Sequence, residues 1–235
     1  MNQPVRTTIL LVAEGVRIPG VLPSLDAFRE WARSLDFPER GRIDWIGGEV
    51  EVDMCPEDLN THGTPKGAIA RGLQNQIELT DRGVVLIDSF RMSSPEADLS
   101  AEPDVLVLLR ESVEAGRVRL IPRASGEEGR FVEVEGAADL VVECVSDSSE
   151  TKDLKTLPPR YYRAGVQEIW IVDARRPEPR LIVLSRGAAD WIEAPTSPDG
   201  FRCSRFLGCE LRLKRIPVGS MLVRYELECR AQAGR

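Results

Sequence analysis

Two acidic residues interrupt stretches that this chain would otherwise bury, and they restrict what it can fold into. Asp104 opens the apolar run Val105-Leu106-Val107-Leu108-Leu109, and Glu143 falls inside Leu140-Val141-Val142-Glu143-Cys144-Val145. Runs this short, rich in Val and Leu and bounded by polar segments, read as buried strands. A lone carboxylate inside a sheet is strongly destabilising, so Glu143 needs a partner. The chain has a single histidine, which leaves two kinds of partner. One is a cationic side chain; the other is a hard metal ion shared with a second carboxylate such as Asp104.

With 235 residues, 42% of them hydrophobic, the chain can build one substantial core. A formal charge of -7 excludes a generally basic, nucleic-acid-coating surface and leaves room only for local contact with nucleic acid. The five cysteines (55, 144, 203, 209, 229) show no C-x-x-C spacing, so neither a disulfide framework nor a zinc knuckle is favoured and a reducing cytoplasm is expected. The apolar stretch Ile9-Leu10-Leu11-Val12-Ala13 ends at Glu14 with no small-residue cleavage pattern after it, and reads as an edge strand. No run approaches the roughly 20 apolar residues of a membrane span. The expected organisation is an extension over 1–22, one domain over 23–210, and a tail over 211–235.

Within the domain, apolar positions 25, 28, 31, 32 and 35 behind Ser24 give the spacing of a capped helix. Gly47-Gly48 separates two strand-like pieces, Ile43–Ile46 and Glu49–Val52, as in a hairpin. Thr64-Pro65 supplies a cap and a first-turn proline for a helix through Ile69, Leu73 and Ile77. The charged, glycine-bearing stretch from Glu111 to Gly129 reads as a mobile loop. After Glu143, the polar segment 146–155 precedes a short helix with Pro158 and Pro159 in its first turn and Gly165 as its left-handed terminator. Three more strands are expected at Glu168–Asp173, Leu181–Leu184 and Asp190–Ile192. In the tail, Arg212, Lys214 and Arg215 mark a closing strand pair followed by a solvated helix or frayed end.

Two carboxylates at adjacent strand ends can work as a general acid and base, or can bind Mg²⁺, which prefers oxygen ligands and keeps several waters. A divalent ion would neutralise both buried charges and also activate a water. Pairing of Glu143 with an Arg or Lys, ordering the core and nothing more, remains the other reading of the same residues.

Glu102-Pro103-Asp104-Val105, Asp139 through Ser149, Tyr161, and Gly165 through Asp173 together resemble the Uma-two family, restriction-endonuclease-like proteins of the PD-(D/E)XK nuclease superfamily. The resemblance runs from about Ser24 to Gly208, and Asp44-Trp45-Ile46-Gly47-Gly48-Glu49 is similar to that family's early hairpin. It implies an α/β fold, a mixed sheet flanked by helices with additional β-hairpins, and Asp104 and Glu143 as the metal-binding acids of a phosphodiesterase site. The implied cofactor is Mg²⁺, with Mn²⁺ as a substitute. The implied partner is nucleic acid, DNA before RNA, and a homodimer is compatible with the superfamily.

A lysine should complete such a site. The family's usual position, four residues before the tyrosine, is Leu157 here, and the position two after the glutamate is Val145. Lys152 and Lys155 are the available replacements, and Lys155 is taken as the catalytic one because it lies nearer the expected place. Asp153 is a supporting candidate and also an acid with which either lysine could simply pair. His62 falls where the family often has a histidine and could carry a proton. Glu49 could add a third carboxylate, and Tyr161 is expected chiefly to pack against the sheet. The function so implied is a Mg²⁺-dependent endonuclease. The alternative is a nuclease fold that has lost catalysis and serves as a nucleic-acid or protein interaction module. A metal-free hydrolase using the two carboxylates as acid and base is a third possibility.

Overall fold

A computed structural model describes residues 9–13 and 16–232. The chain opens with an antiparallel pair, β1 (Ile9–Ala13) and β2 (Val16–Pro19). Helix α1 (Leu25–Ala32) follows, capped as expected by Ser24, whose Oγ accepts the Ala27 N–H at 3.3 Å. Strands β3 (Arg42–Ile46) and β4 (Glu49–Asp53) form the hairpin, turning through Gly47 and Gly48 at φ of 62° and 95°, a pair of positive values that glycine adopts without strain. Helix α2 (Thr64–Ile77) leads to β5 (Gly83–Ile87), β6 (Arg91–Ser94), β7 (Leu99–Ala101) and β8 (Val105–Leu109). Next come α3 (Arg110–Glu114), β9 (Val118–Pro122), β10 (Phe131–Gly136), β11 (Leu140–Cys144) and α4 (Leu157–Ala164). The remainder is strand: β12 (Glu168–Asp173), β13 (Arg180–Arg186), β14 (Trp191–Glu193), β15 (Arg202–Ser204), β16 (Cys209–Val218) and β17 (Leu222–Ala231).

The central sheet runs in the order β14-β13-β12-β11-β8-β5. Only β11 and β12 pair in parallel, and α4 is the crossover between them. The acidic runs are therefore central, as their near-continuous apolarity requires. A second six-stranded sheet, β4-β3-β7-β6-β10-β9, stacks on one face of the first. Leu106, Leu108, Val141, Ile169 and Ile171 meet Met92, Leu99 and Val134 in that layer, with Leu157 and Tyr161 of α4. The opposite face of the central sheet carries Ile69, Leu73 and Ile77 of α2. Outside the second sheet, Phe28 of α1 packs on Ile43 and Trp45.

The sequence reading anticipated hairpins beside a single mixed sheet, and the structure has a full second sheet instead. Its short strands, β6 and β7, bury Ser93 and Ser100, whose hydroxyls bond each other at 2.7 Å, so hydropathy hides them. The stretch 111–129 is not simply a loop. Asp139 receives the Leu109 N–H and the Ser112 hydroxyl, anchoring α3, and β9 buries Val118 and Ile121 against β10.

The 211–235 tail also differs from expectation. The strand pair is present, but the chain continues as strand to Ala231 with no helix after it among the described residues. The expected boundary at 210/211 lies inside β16. Leu211, Leu213, Val223 and Tyr225 are buried in the same cluster as α2, and Gly72 of α2 admits the Leu227 side chain, which a Cβ would meet at 2.6 Å. Among the described residues no helix is long and apolar enough to cross a membrane.

Candidate active site

The register of β8 on β11 pairs Val105 with Val142, so Asp104 and Glu143 follow as neighbours at the same end of the central sheet. Alternation sends both side chains toward the second sheet, the side of Leu106 and Val141. Asp104 is completely buried and Glu143 is 2% exposed. From the facing sheet, β3 directs Ile43 and Trp45 outward to α1 and turns Arg42 and Asp44 inward. The site thus lies between the ends of the two sheets.

Asp104 is densely partnered. Its Oδ2 accepts the Cys144 N–H at 2.6 Å, its Oδ1 accepts from Arg42 Nη2 at 2.7 Å, and His62 Nε2 stands 3.5 Å from Oδ2. Burial pushes its pKa up, but His62 and Arg42 outweigh it and hold the carboxyl well below the ordinary range. Glu143 behaves oppositely. Burial first, then the charges of Asp153 and Asp104, hold it well above the usual carboxylate range, and its Oε1 accepts from the Tyr161 hydroxyl at 2.5 Å. Asp153, 2% exposed, is raised to about 6 mainly by burial, and its Oδ1 has no hydrogen-bond partner.

Both helices that reach the site begin with a widened, π-helical turn, at Leu59–Gly63 before α2 and at Lys152–Thr156 before α4. Proline accounts for the widening. Pro65, Pro158 and Pro159 lack the N–H that would close an α-turn, and their rings crowd the carbonyl four residues back. The Leu157 N–H accordingly reaches the carbonyl of Lys152, five residues away. The first wide turn is capped not by Thr64 but by Asp58, whose Oδ1 accepts the N–H groups of Asn60 and Thr61 at 2.9 and 2.8 Å.

The second wide turn sends the two lysines to different places. It turns Lys152 inward, 9% exposed, with Nζ 3.3 Å from Asp44 Oδ2. Burial lowers the Lys152 pKa, but Asp44 and Glu143 more than offset this and raise it. Lys155, chosen from the sequence, is exposed, and Leu157 is buried in the core. Counting back by α-helical turns could not place Lys152, whereas the adjacent prolines were the available signal. Glu49 is likewise exposed, at the start of β4, and it is Asp44 of the same hairpin that enters the site. Tyr161 does more than pack, since its hydroxyl contacts Glu143.

Arg42, Asp44 and Lys66 were missed in the sequence. Arg42 and Asp44 occupy alternate positions of a strand whose other face is apolar, which was a legible sign of charges directed inward. Lys66, one turn after His62, is 5% exposed and bonds Glu57 at 2.5 Å and Asp88 at 2.8 Å. Glu57, His62 and Asp104 bring donor atoms within 4.8 Å of one another, the one such set of three acid, imidazole or thiol donors among the described residues. A cleft of about 710 Å³ opens onto this region, and Arg42 and His62 line it. A smaller adjoining pocket of about 180 Å³ shares Arg42 and reaches Lys152.

Residues 25–215 match the Uma2 family, described as putative restriction endonuclease. The chain belongs to the Uma2 family. A solved structure from Anabaena variabilis ATCC 29413, described as a putative nuclease belonging to DUF820, is similar in fold with a TM-score of 0.57 at 17% identity. That similarity covers 78% of this chain and 90% of the other. No curated protein sequence matches the chain. The Uma2 match brackets every residue of the site described above and leaves β1, β2, the end of β16 and β17 outside it.

Proposed function

We propose that this Uma2 protein is a Mg²⁺-dependent endonuclease with a PD-(D/E)XK core, hydrolysing DNA phosphodiester bonds. The observation that carries the reading is the pair of buried carboxylates, Asp104 and Glu143, side by side behind the cleft wall.

The donors fit a hard divalent ion. Asp44, Asp104, Glu143 and Asp153 converge on Arg42 and Lys152, burial and the neighbouring acids hold Glu143 well above the usual carboxylate range, and one carboxylate oxygen of Asp153 is buried without a partner. Such an excess of oxygen donors suits Mg²⁺ or Mn²⁺. Asp104 and Glu143 would hold the ion, with Asp153 beside them. When bound, it would supply an acidified water and offset charge on the phosphoryl group.

The chain's own groups take the remaining roles. Tyr161 fixes the rotamer of Glu143 by donating to Oε1. Lys152, in the position assigned to Lys155 from the sequence, stands where an ammonium can stabilise developing phosphoryl charge. His62, whose pKa is raised by Asp104 and Glu57 against the effect of burial, can hold a proton at Nε2 near neutral pH. The test is nicking of supercoiled plasmid in Mg²⁺ and in Mn²⁺, with a single-stranded RNA in parallel. The parent protein should nick DNA, and Asp104→Asn should not. A parent no faster than Asp104→Asn with either ion refutes the reading.

One observation favours the alternative of a non-catalytic interaction module. The cleft is lined by Asp53, Glu57, Asp58, Asp88, Glu102 and Asp147 against Arg42, His62 and Arg175, a balance that repels a phosphate backbone and suits a basic peptide. Under that reading a lysine-rich peptide should bind the parent protein in the absence of nucleic acid and bind Asp147→Asn more weakly, whereas a site built for DNA should show no such binding.

A further inference from the structure

Asp104 does not itself line the cleft. Arg42 and His62 do, and both contact it from the cleft side. An ion entering from solvent therefore meets Arg42 before it meets the carboxylate. Oδ2 of Asp104 is taken by a backbone N–H that cannot move without unpairing β11, so Oδ1 is the oxygen that can be vacated, and Arg42 holds it. A guanidinium and a divalent cation on that one oxygen would set two positive charges side by side in a buried site, so binding of the ion disfavours the guanidinium there.

The alternative berth for Arg42 already exists. Its side chain is 20% exposed, lies at the junction of the cleft and the smaller pocket, both of which it lines, and stands 3.8 Å from Oδ1 of Asp88, a 41% exposed carboxylate that accepts from Lys66 through that oxygen and has further lone pairs to offer. A planar, permanently charged fork at that junction is suited to receive a phosphate once released.

We infer that Arg42 is a displaceable counter-ion: it occupies the metal's place on Asp104 until the ion arrives, then swings toward Asp88 and the open cleft. Arg42 is thus a positioning residue that keeps the buried acids paired in the metal-free protein and leaves a cation facing the substrate in the loaded one. The inference rests on the proposed metal site, but its test uses no nucleic acid and no turnover.

The experiment follows the Arg42 Nε–H resonance of the full ¹⁵N-labelled chain, assigned by its loss in Arg42→Lys, during titration with Mg²⁺ alone. Calorimetry with Mn²⁺ is run in parallel on the parent and on Arg42→Met. The expected result is a resonance that shifts and exchanges with water at least about tenfold faster once the ion is bound, with Mn²⁺ affinity in Arg42→Met tighter by about tenfold or more. Removing a nearby charge would tighten binding even if Arg42 never moved, so the resonance of the parent protein is the deciding readout. A resonance unchanged at metal saturation overturns the inference, and so does a parent chain that binds no divalent ion. Displacement without plasmid nicking would sink the nuclease reading alone, and nicking with Arg42 fixed on Asp104 would sink only this one.

Discussion

Asp153→Asn should stabilise the metal-free protein at neutral pH and do almost nothing in acid. In the fold the Asp153 carboxyl titrates at about 6, against 3.8 for an unperturbed aspartate, because it is buried and faces the charge of Asp104. The folded state therefore binds this proton more tightly than the unfolded state. Stability contributed by the neutral form is fully present below about 3.8 and is lost as pH rises through about 6. At ~1.4 kcal/mol per pH unit, the interval is worth about 3 kcal/mol. The asparagine is neutral throughout and its carbonyl can still accept the Ser149 hydroxyl that now bonds Oδ2, so little else is lost. Urea unfolding in EDTA should show the variant within about 1 kcal/mol of the parent at pH 4.5 and about 2 to 3 kcal/mol more stable at pH 7.5. Added Mg²⁺ should narrow that gap, since an ion neutralises the same charge in the parent. A difference between variant and parent that is the same at both pH values would refute the argument, and would mean that Asp153 has a partner in solution.

Three further substitutions separate chemistry from framework. Lys152→Met should reduce plasmid nicking by about 10²-fold or more while Lys155→Met leaves it within about twofold, and equal losses would show that the wide turn does not select between them. Glu168→Gln should cost about 2 to 4 kcal/mol in urea unfolding. Oε1 of Glu168 accepts from the Trp170 indole, and Oε2 from the backbone N–H groups of Arg205 and Phe206, so either orientation of the amide sets an NH₂ against a donor that cannot reverse. Nicking per folded molecule should not change, and a specific loss of activity would give Glu168 a role beyond holding β12, β13 and the turn after β15 together.

Elements with a local cause were readable before the structure was known. Ser24 capping α1, the two glycines of the β3–β4 turn, and Gly165 ending α4 at φ 100° each follow from one or two residues. The acids were readable for the same reason, since Asp104 and Glu143 violate the hydropathy around them. What escaped depends on partners distant in sequence. Arg91 reaches the carbonyls of Ile43 and Ser100 and a carboxylate oxygen of Glu102, which no local pattern announces in the polar strand β6. Lys152 was named but ranked below Lys155, because its inward turn is a compromise imposed by prolines farther along the chain. The tail escaped because the apolar face of β16 and β17 has meaning only against α2.

That last contact sets an order of events during synthesis. One side of α2 packs on the central sheet and the other, around Gly72, is covered by side chains between residues 211 and 227, while Asn60, in the wide turn that carries His62, bonds the carbonyl of Met221 and the N–H of Val223. On the ribosome, then, the helix emerges some 140 residues before the strands that cover its outer side, and that side is open for the whole interval. The imidazole that faces Asp104 is anchored only when the hairpin arrives. A growing chain can form much of the central sheet and still lack a completed cleft, so a message cut short would yield a product in need of a chaperone but without a finished site.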